Sequence, residues 1–212
     1  MTTGAYTITV GVAARADAPL VAAPFRASMI EVARAHPLPP TGLARSVPTT
    51  LEIPAIGVRS RLQETGLNPD GTIAVPPPGP DYGVAAWYRN SPTPGQTGPA
   101  VLEGHLDTAD GAPSVFYRLG ELPPGAQIRV TRADGRTAVF EVTEVARFAR
   151  AEFPTSAVYG DVDHPELRVL TCGGPIDPGS GQYRDNVVVF ATLSAVEVPA
   201  RLGSSERTAA LS

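Results

Sequence analysis

Lysine is absent from this 212-residue chain; all 17 of its basic residues are arginine. A phosphate loop of Walker type is thereby excluded, because it needs its lysine. Schiff-base catalysis is excluded as well. The protein has no ε-amine of its own to offer in an amide-forming reaction. There is only one cysteine, Cys172, which rules out an intramolecular disulfide and a cysteine-rich zinc site. The thiol is therefore either a small buried hydrophobe or a reactive group. Only three histidines, His36, His105 and His164, are available as partners for it. No acidic cluster reads as a calcium site, and neither a metal nor another cofactor is expected. A net charge of −4 lacks the basic face that phosphate neutralisation requires, which argues against nucleic-acid binding.

No long apolar run is present. The "ITVGVAA" stretch is too short to span a membrane, and no basic residue precedes it as in a signal peptide. Long helices are also not expected, because 23 prolines and 21 glycines interrupt the chain. Residues 1–46, rich in Ala, Pro and Thr, read as a tail or linker, with "FRASMIEVARA" a candidate short helix. Residues 47–200 read as a β domain, and 201–212 as a disordered tail.

The β domain carries short strands with turn signals between them. "TTLEIPAIGV" reads as an edge strand because of its central proline. "LNPDGTIAV" reads as a turn and a short strand, and "PSVFYRLGEL" as one helical turn. "AQIRVTRADGRTAVFEVTEVARF" is the clearest hairpin, with its DG step in the turn. "ELRVLTC" and "NVVVFATL" are continuous apolar strands. Pro76–Pro80 and 173–185 are loops suited to shaping a groove. The expectation is an all-β fold, a closed barrel of seven to eight short strands with one or two short helices.

Cys172 is placed at the end of its apolar strand, before Gly173 and Gly174, where scaffolds present groups to substrate. A nucleophilic thiol needs a partner. His36 falls in the tail, and His164, in "DVDHPEL", reads as an exposed loop histidine. His105 follows Gly104 at the end of a second apolar strand. It reads either as a strand-end cap or as the partner of Cys172, with Asp107 orienting it or capping a turn. Arg184 precedes the strand after the cysteine loop, and antiparallel pairing would bring it toward the thiol. It reads otherwise as an ordinary loop arginine beside Asp185.

Gly104-His105-Leu106-Asp107, Leu170-Thr171-Cys172-Gly173-Gly174 and Tyr183-Arg184-Asp185-Asn186 followed by three valines occur in that order. Together with Trp87-Tyr88 they resemble the sortase family, and most closely its actinobacterial class F, over Thr50 to Leu193. The resemblance implies a sortase-like barrel and a cysteine transpeptidase, grouped with hydrolases. Such an enzyme cleaves a Leu-Pro-x-Thr-Gly sorting signal after threonine through a thioacyl intermediate. An amine, such as one on a peptidoglycan precursor, then takes the acyl group, anchoring the protein substrate to the cell wall. The resemblance also implies action on the extracytoplasmic side of the membrane. Carried over by position, Cys172 is the nucleophile, His105 the acid for the leaving amine and Arg184 the oxyanion and substrate arginine. Thr171, Gly173 and Asp107 fall to the substrate and oxyanion site.

Two departures stand out. Arg168 and Val169 replace the usual Thr-Leu ahead of the cysteine motif. Aligned on its "AT", the last strand puts Asn186 where better-known classes keep arginine. An L,D-transpeptidase-like enzyme is the alternative within enzymes, but no arginine stands two residues after Cys172. A papain-like hydrolase has its cysteine before its histidine, the reverse of the order here. The non-catalytic alternative is a secreted β-barrel binding module with an inert thiol.

Overall fold

A computed structural model describes residues 42–198. The first strand, β1 (Pro48–Ile53), runs into a 3₁₀ turn at Pro54–Ile56, and β2 (Val58–Thr65) returns beside it. The stretch expected to be one edge strand is thus two paired strands. Pro54 lacks the N–H a ladder requires and opens the turn, and Gly57 at φ 70° closes it. β3 (Ala85–Tyr88), β4 (Gly98–Glu103), β5 (Gln127–Arg132) and β6 (Thr137–Ala149) follow. After a five-residue helix, α1 (Thr155–Tyr159), come β7 (Pro165–Ile176) and β8 (Tyr183–Glu197). The strands close in the order β1-β2-β3-β4-β7-β8-β6-β5. This is the expected all-β closed barrel, with eight strands. β5 and β6 form the expected hairpin about the DG turn. "LNPDGTIAV" makes only an isolated bridge, Leu67 to Ile73, around its turn. The "PSVFYRLGEL" turn is 3₁₀, at Leu119–Glu121.

Alternation along the strands assigns the two faces. Ala85 and Trp87 of β3, Ala100 and Leu102 of β4, Leu167 and Val169 of β7, and Val187, Val189 and Ala191 of β8 fill the interior. The intervening residues lie on the outer face: Tyr88, Val101, Glu103, Arg168, Leu170 and Cys172. Apolar side chains on both faces of β8, with Val187, Val189 and Ala191 inside and Val188 and Phe190 outside, explain why that strand reads as a continuous hydrophobic run.

Two polar devices brace the barrel. Arg132 is 1% exposed. Its guanidinium donates to the carbonyls of Pro94 and Ala44 and pairs with Asp134, tying residues 42–47 and the β3–β4 loop to the hairpin. An Arg132→Met substitution orphans those carbonyls and is expected to lower unfolding stability by about 2–4 kcal/mol. Denaturant titration measures this, and an unchanged midpoint would contradict it. On β7, Arg168 is 4% exposed, pairs with Glu166 and lies 4.5 Å from the Phe190 ring centroid. Arginine at that unusual position is thus satisfied within the sheet face, although its Nε has no partner.

Candidate active site

β4 and β7 are parallel neighbours, with Glu103 opposite Leu170. Continuing that register past the end of β4 sets Gly104 beside Thr171 and His105 beside Cys172. Parallel strands lie about 4.8 Å apart, so at that register the imidazole, just past the end of β4, and the thiol, within β7, leave neighbouring positions on the same outer face. The clamp beneath them is Thr171. Its side chain turns inward, is 5% exposed, and its hydroxyl donates to the Gly104 carbonyl at 2.9 Å. Gly104 has to be glycine, because a Cβ there would meet Val115 and Phe116 at 2.7–2.8 Å. The His105 carbonyl in turn accepts from the Phe116 N–H at 3.1 Å. The histidine backbone is thereby fixed from both sides.

The His105 ring is held by the β2–β3 loop. Its Nε2 lies 2.7 Å from the carbonyl oxygen of Pro76. A carbonyl can only accept, so Nε2 carries the hydrogen and Nδ1 is the nitrogen left to exchange a proton. The Tyr82 ring stacks on the imidazole with centroids 3.8 Å apart and planes 3° from parallel. Burial, with smaller contributions from Asp107 and Cys172, raises the Tyr82 phenol above its ordinary pKa. The proline-rich stretch expected to shape a groove is therefore the support of the histidine.

Cys172 is solvent-exposed and sits within β7, not at its end as expected. The strand continues to Ile176, with an irregularity in register after Gly173. Gly174 adopts φ 72°, and a Cβ on it would collide with the Asp185 carboxylate, so the irregularity requires glycine there. Gly173 is buried, with Val187 in close contact. Although the thiol reaches solvent, its surroundings are dense. Burial pushes its pKa above the usual value; Arg150 pulls the other way, and Asp107 adds to the rise. The resting site thus holds a thiol at neutral pH.

Asp107 is not engaged with the imidazole. It accepts a hydrogen bond from the Tyr183 hydroxyl at 2.5 Å, joining the loop after β4 to the start of β8. Asn186 is the antiparallel partner of Cys172 and shares its face. Arg184 follows on the same face two residues away, but it pairs with Asp177 at 3.0 Å in the β7–β8 loop. The cation acting on the thiol is Arg150, which donates to Gln182. His164 pairs with Asp163 and Glu166, with its pKa raised by the carboxylates. His36 lies outside the described residues.

Sequence reading missed Tyr82 and Arg150, and took Pro76 only as part of a groove-shaping loop. A backbone carbonyl leaves no residue-type signal. Tyr82 and Arg150 come from loops far from either motif in sequence. Among the described residues, no group of three or more His, Cys, Asp or Glu side chains is placed to hold a metal. No described helix is long and apolar enough to cross a membrane.

Comparison with known proteins finds the same fold. Solved structures similar in fold include sortase A of Listeria monocytogenes, 18% identical, covering 73% of this chain and 90% of that one, with a TM-score of 0.52. The SrtA sortase of Actinomyces oris is 20% identical, with 75% and 87% coverage and a TM-score of 0.53. Sortase E1 of Streptomyces coelicolor, solved with a tripeptide in its active site, is 16% identical, with 74% and 92% coverage and a TM-score of 0.51. No curated protein matches the chain. The Sortase domain model matches residues 51–194, a span that holds β2 to β7, His105, Cys172 and Arg184. By that match the chain belongs to the sortase family, whose members are cysteine transpeptidases that act on protein substrates at the cell surface.

Proposed function

We propose that the protein is a class F-type sortase that cleaves a Leu-Pro-x-Thr-Gly sorting signal after threonine and passes the acyl group to an amine. The observation that carries this reading is the parallel register of β4 and β7, which ends with Glu103 opposite Leu170 and, continued, sets His105 beside Cys172, with Nδ1 left free by the Pro76 carbonyl. Cys172 Sγ attacks the threonine carbonyl, and the thiol proton passes to His105 Nδ1. The C–N bond to glycine then breaks, and the same proton goes to the departing amine. A thioester remains on Cys172. A second amine attacks it, loses a proton to His105, and releases the thiol with a new amide bond.

The oxyanion formed in each half needs a cation or donors. Arg184 serves it by exchanging its exposed contact with Asp177 for the substrate, and Arg150 adds positive potential at the thiol. Thr171 acts through its clamp on Gly104, and Asp107 through Tyr183, both as positioning residues. Gly173, buried against Val187 and paired with Asp185, holds the strand next to the thiol as a positioning residue. An Arg184→Ala variant is expected to lose about 10²-fold in kcat/KM, as when an oxyanion donor is removed elsewhere. An unchanged kcat/KM would assign the oxyanion to other groups.

The fitting acceptor is an amine such as that of a peptidoglycan precursor, which places the enzyme on the extracytoplasmic face. The test is chromatography of a Leu-Pro-x-Thr-Gly peptide incubated with the protein, with and without triglycine. A new amide product at triglycine's expense supports the reading. An intact peptide in both arms rejects it.

A further inference from the structure

Arg150 stands where β6 ends, at the first residue of a 3₁₀ turn, Arg150–Glu152. Two residues earlier, Phe148 pairs with Asn186 of β8, and Asn186 pairs with Cys172 of β7. The three strands lie side by side at the thiol, and Arg150 follows just beyond that row. Its Nη1 donates to the side-chain oxygen of Gln182, the last residue of the β7–β8 loop. This contact turns the guanidinium toward the loop on the cysteine side of β6. Burial raises the Cys172 pKa, and the charge of Arg150 is what opposes it.

Arg150 differs from the neighbouring arginines in its partner. Arg147 pairs with Asp185, and Arg184 with Asp177, so each of those cations sits beside a carboxylate. Arg150 is held by a neutral amide, and no carboxylate among the described residues pairs with it. Gln182 fixes the guanidinium without quenching its charge. The bond to Gln182 uses Nη1, which leaves Nη2 and Nε for a second, planar acceptor. The charge beside the nucleophile is therefore placed but not compensated.

We propose that Arg150 is a specificity-determining residue that pairs with an acidic side chain at the x position of the Leu-Pro-x-Thr-Gly signal. This rests on the reaction proposed above. The attacked threonine carbonyl must lie at Sγ, and the next Cα on either side is 3.8 Å along the chain, which brings both flanking residues into the neighbourhood of that charge. The glycine on one flank has no side chain, so x is the flanking position able to present a group. A glutamate there supplies the carboxylate that Arg150 lacks. Arg150 is exposed, so the pair forms at low desolvation cost. A lysine at x sets a second cation beside the first and is disfavoured. A glutamine accepts a hydrogen bond without the charge and falls between the two.

The experiment compares kcat/KM for peptides with Glu, Gln or Lys at x, using the wild type, Arg150→Gln and Arg150→Glu. The wild type is expected to favour Glu over Lys by about tenfold at low ionic strength, with the ratio narrowing as salt is added. Arg150→Gln is expected to bring the ratio close to one, and Arg150→Glu to reverse it. The reversal is a change of preference, which loss of folded protein does not produce. A Glu/Lys ratio equal in the wild type and both variants overturns the Arg150 proposal and leaves the reaction standing, even if every kcat/KM falls. A wild type that processes none of the peptides removes both.

Discussion

Replacing Cys172 with alanine is expected to lower transpeptidation by about 10⁴-fold or more, to the level left by binding and the oxyanion donors alone. The effect is this large because no second nucleophile is present: the chain has no other cysteine and no lysine. The chemistry of the thiol makes a second, sharper expectation. Its surroundings desolvate it, and the opposing pull of Arg150 is weaker than that burial. Because the pKa is raised, the thiolate is a minor species at neutral pH. Alkylation by iodoacetamide should then accelerate about tenfold per pH unit across the neutral range and on through pH 9. The wild-type rate, measured by loss of free thiol against pH, checks this. A plateau reached below pH 7 would mean a resting thiolate–imidazolium pair and would contradict it. The same scarcity of thiolate makes slow turnover the expected behaviour at neutral pH.

The second large effect belongs to His105. His105→Ala is expected to cost about 10²–10⁴-fold in kcat, the range for a general acid–base group. The loss should fall on kcat, because the leaving amine is protonated only as the C–N bond breaks. The ring is oriented by a backbone carbonyl, so no substitution at Asp107 should reproduce that loss. Tyr82 is the side chain that can. Tyr82→Ala removes the stacked ring and frees the imidazole to leave the Pro76 carbonyl, whereas Tyr82→Phe keeps the stack. Steady-state kinetics of the three variants distinguishes the arrangements. Equal activity of Tyr82→Ala and wild type would show that the stack does not position the acid.

Much of the barrel could be read from local pattern. The β5–β6 hairpin was legible because alternation and a DG turn are short-range signals. β7 and β8 were legible as continuous apolar runs, that of β8 rich in valine. The β1–β2 turn was misread because a proline inside an apolar run signals an edge strand as well as a turn, and only the pairing of Ile53 with Val58 separates the two. The continuation of β7 beyond Cys172 was missed because two glycines normally close a strand. Here Gly174 takes a positive φ, and pairing resumes between Ile176 and Tyr183.

The site divides in a similar way. Cys172 and His105 were found because reactive residue types are rare in this chain and both stand beside glycine where an apolar run stops. What orients them was hidden, because Pro76 contributes a main-chain oxygen and Tyr82 a ring delivered by a loop whose path no periodicity encodes. The arginine question is also one of tertiary contact. Arg184 and Arg150 are both exposed arginines in sequence terms, and only the fold turns Arg150 toward the thiol and Arg184 toward Asp177.

The central claim is that Cys172 is an acyl-accepting nucleophile. Intact-protein mass spectrometry after incubation with a Leu-Pro-x-Thr-Gly peptide tests it most directly, with Cys172→Ala as the control. An adduct of the peptide's acyl half is expected on the wild type alone, mapped to Cys172 and discharged by added amine. An unmodified wild type, or an adduct that persists in Cys172→Ala, would contradict it.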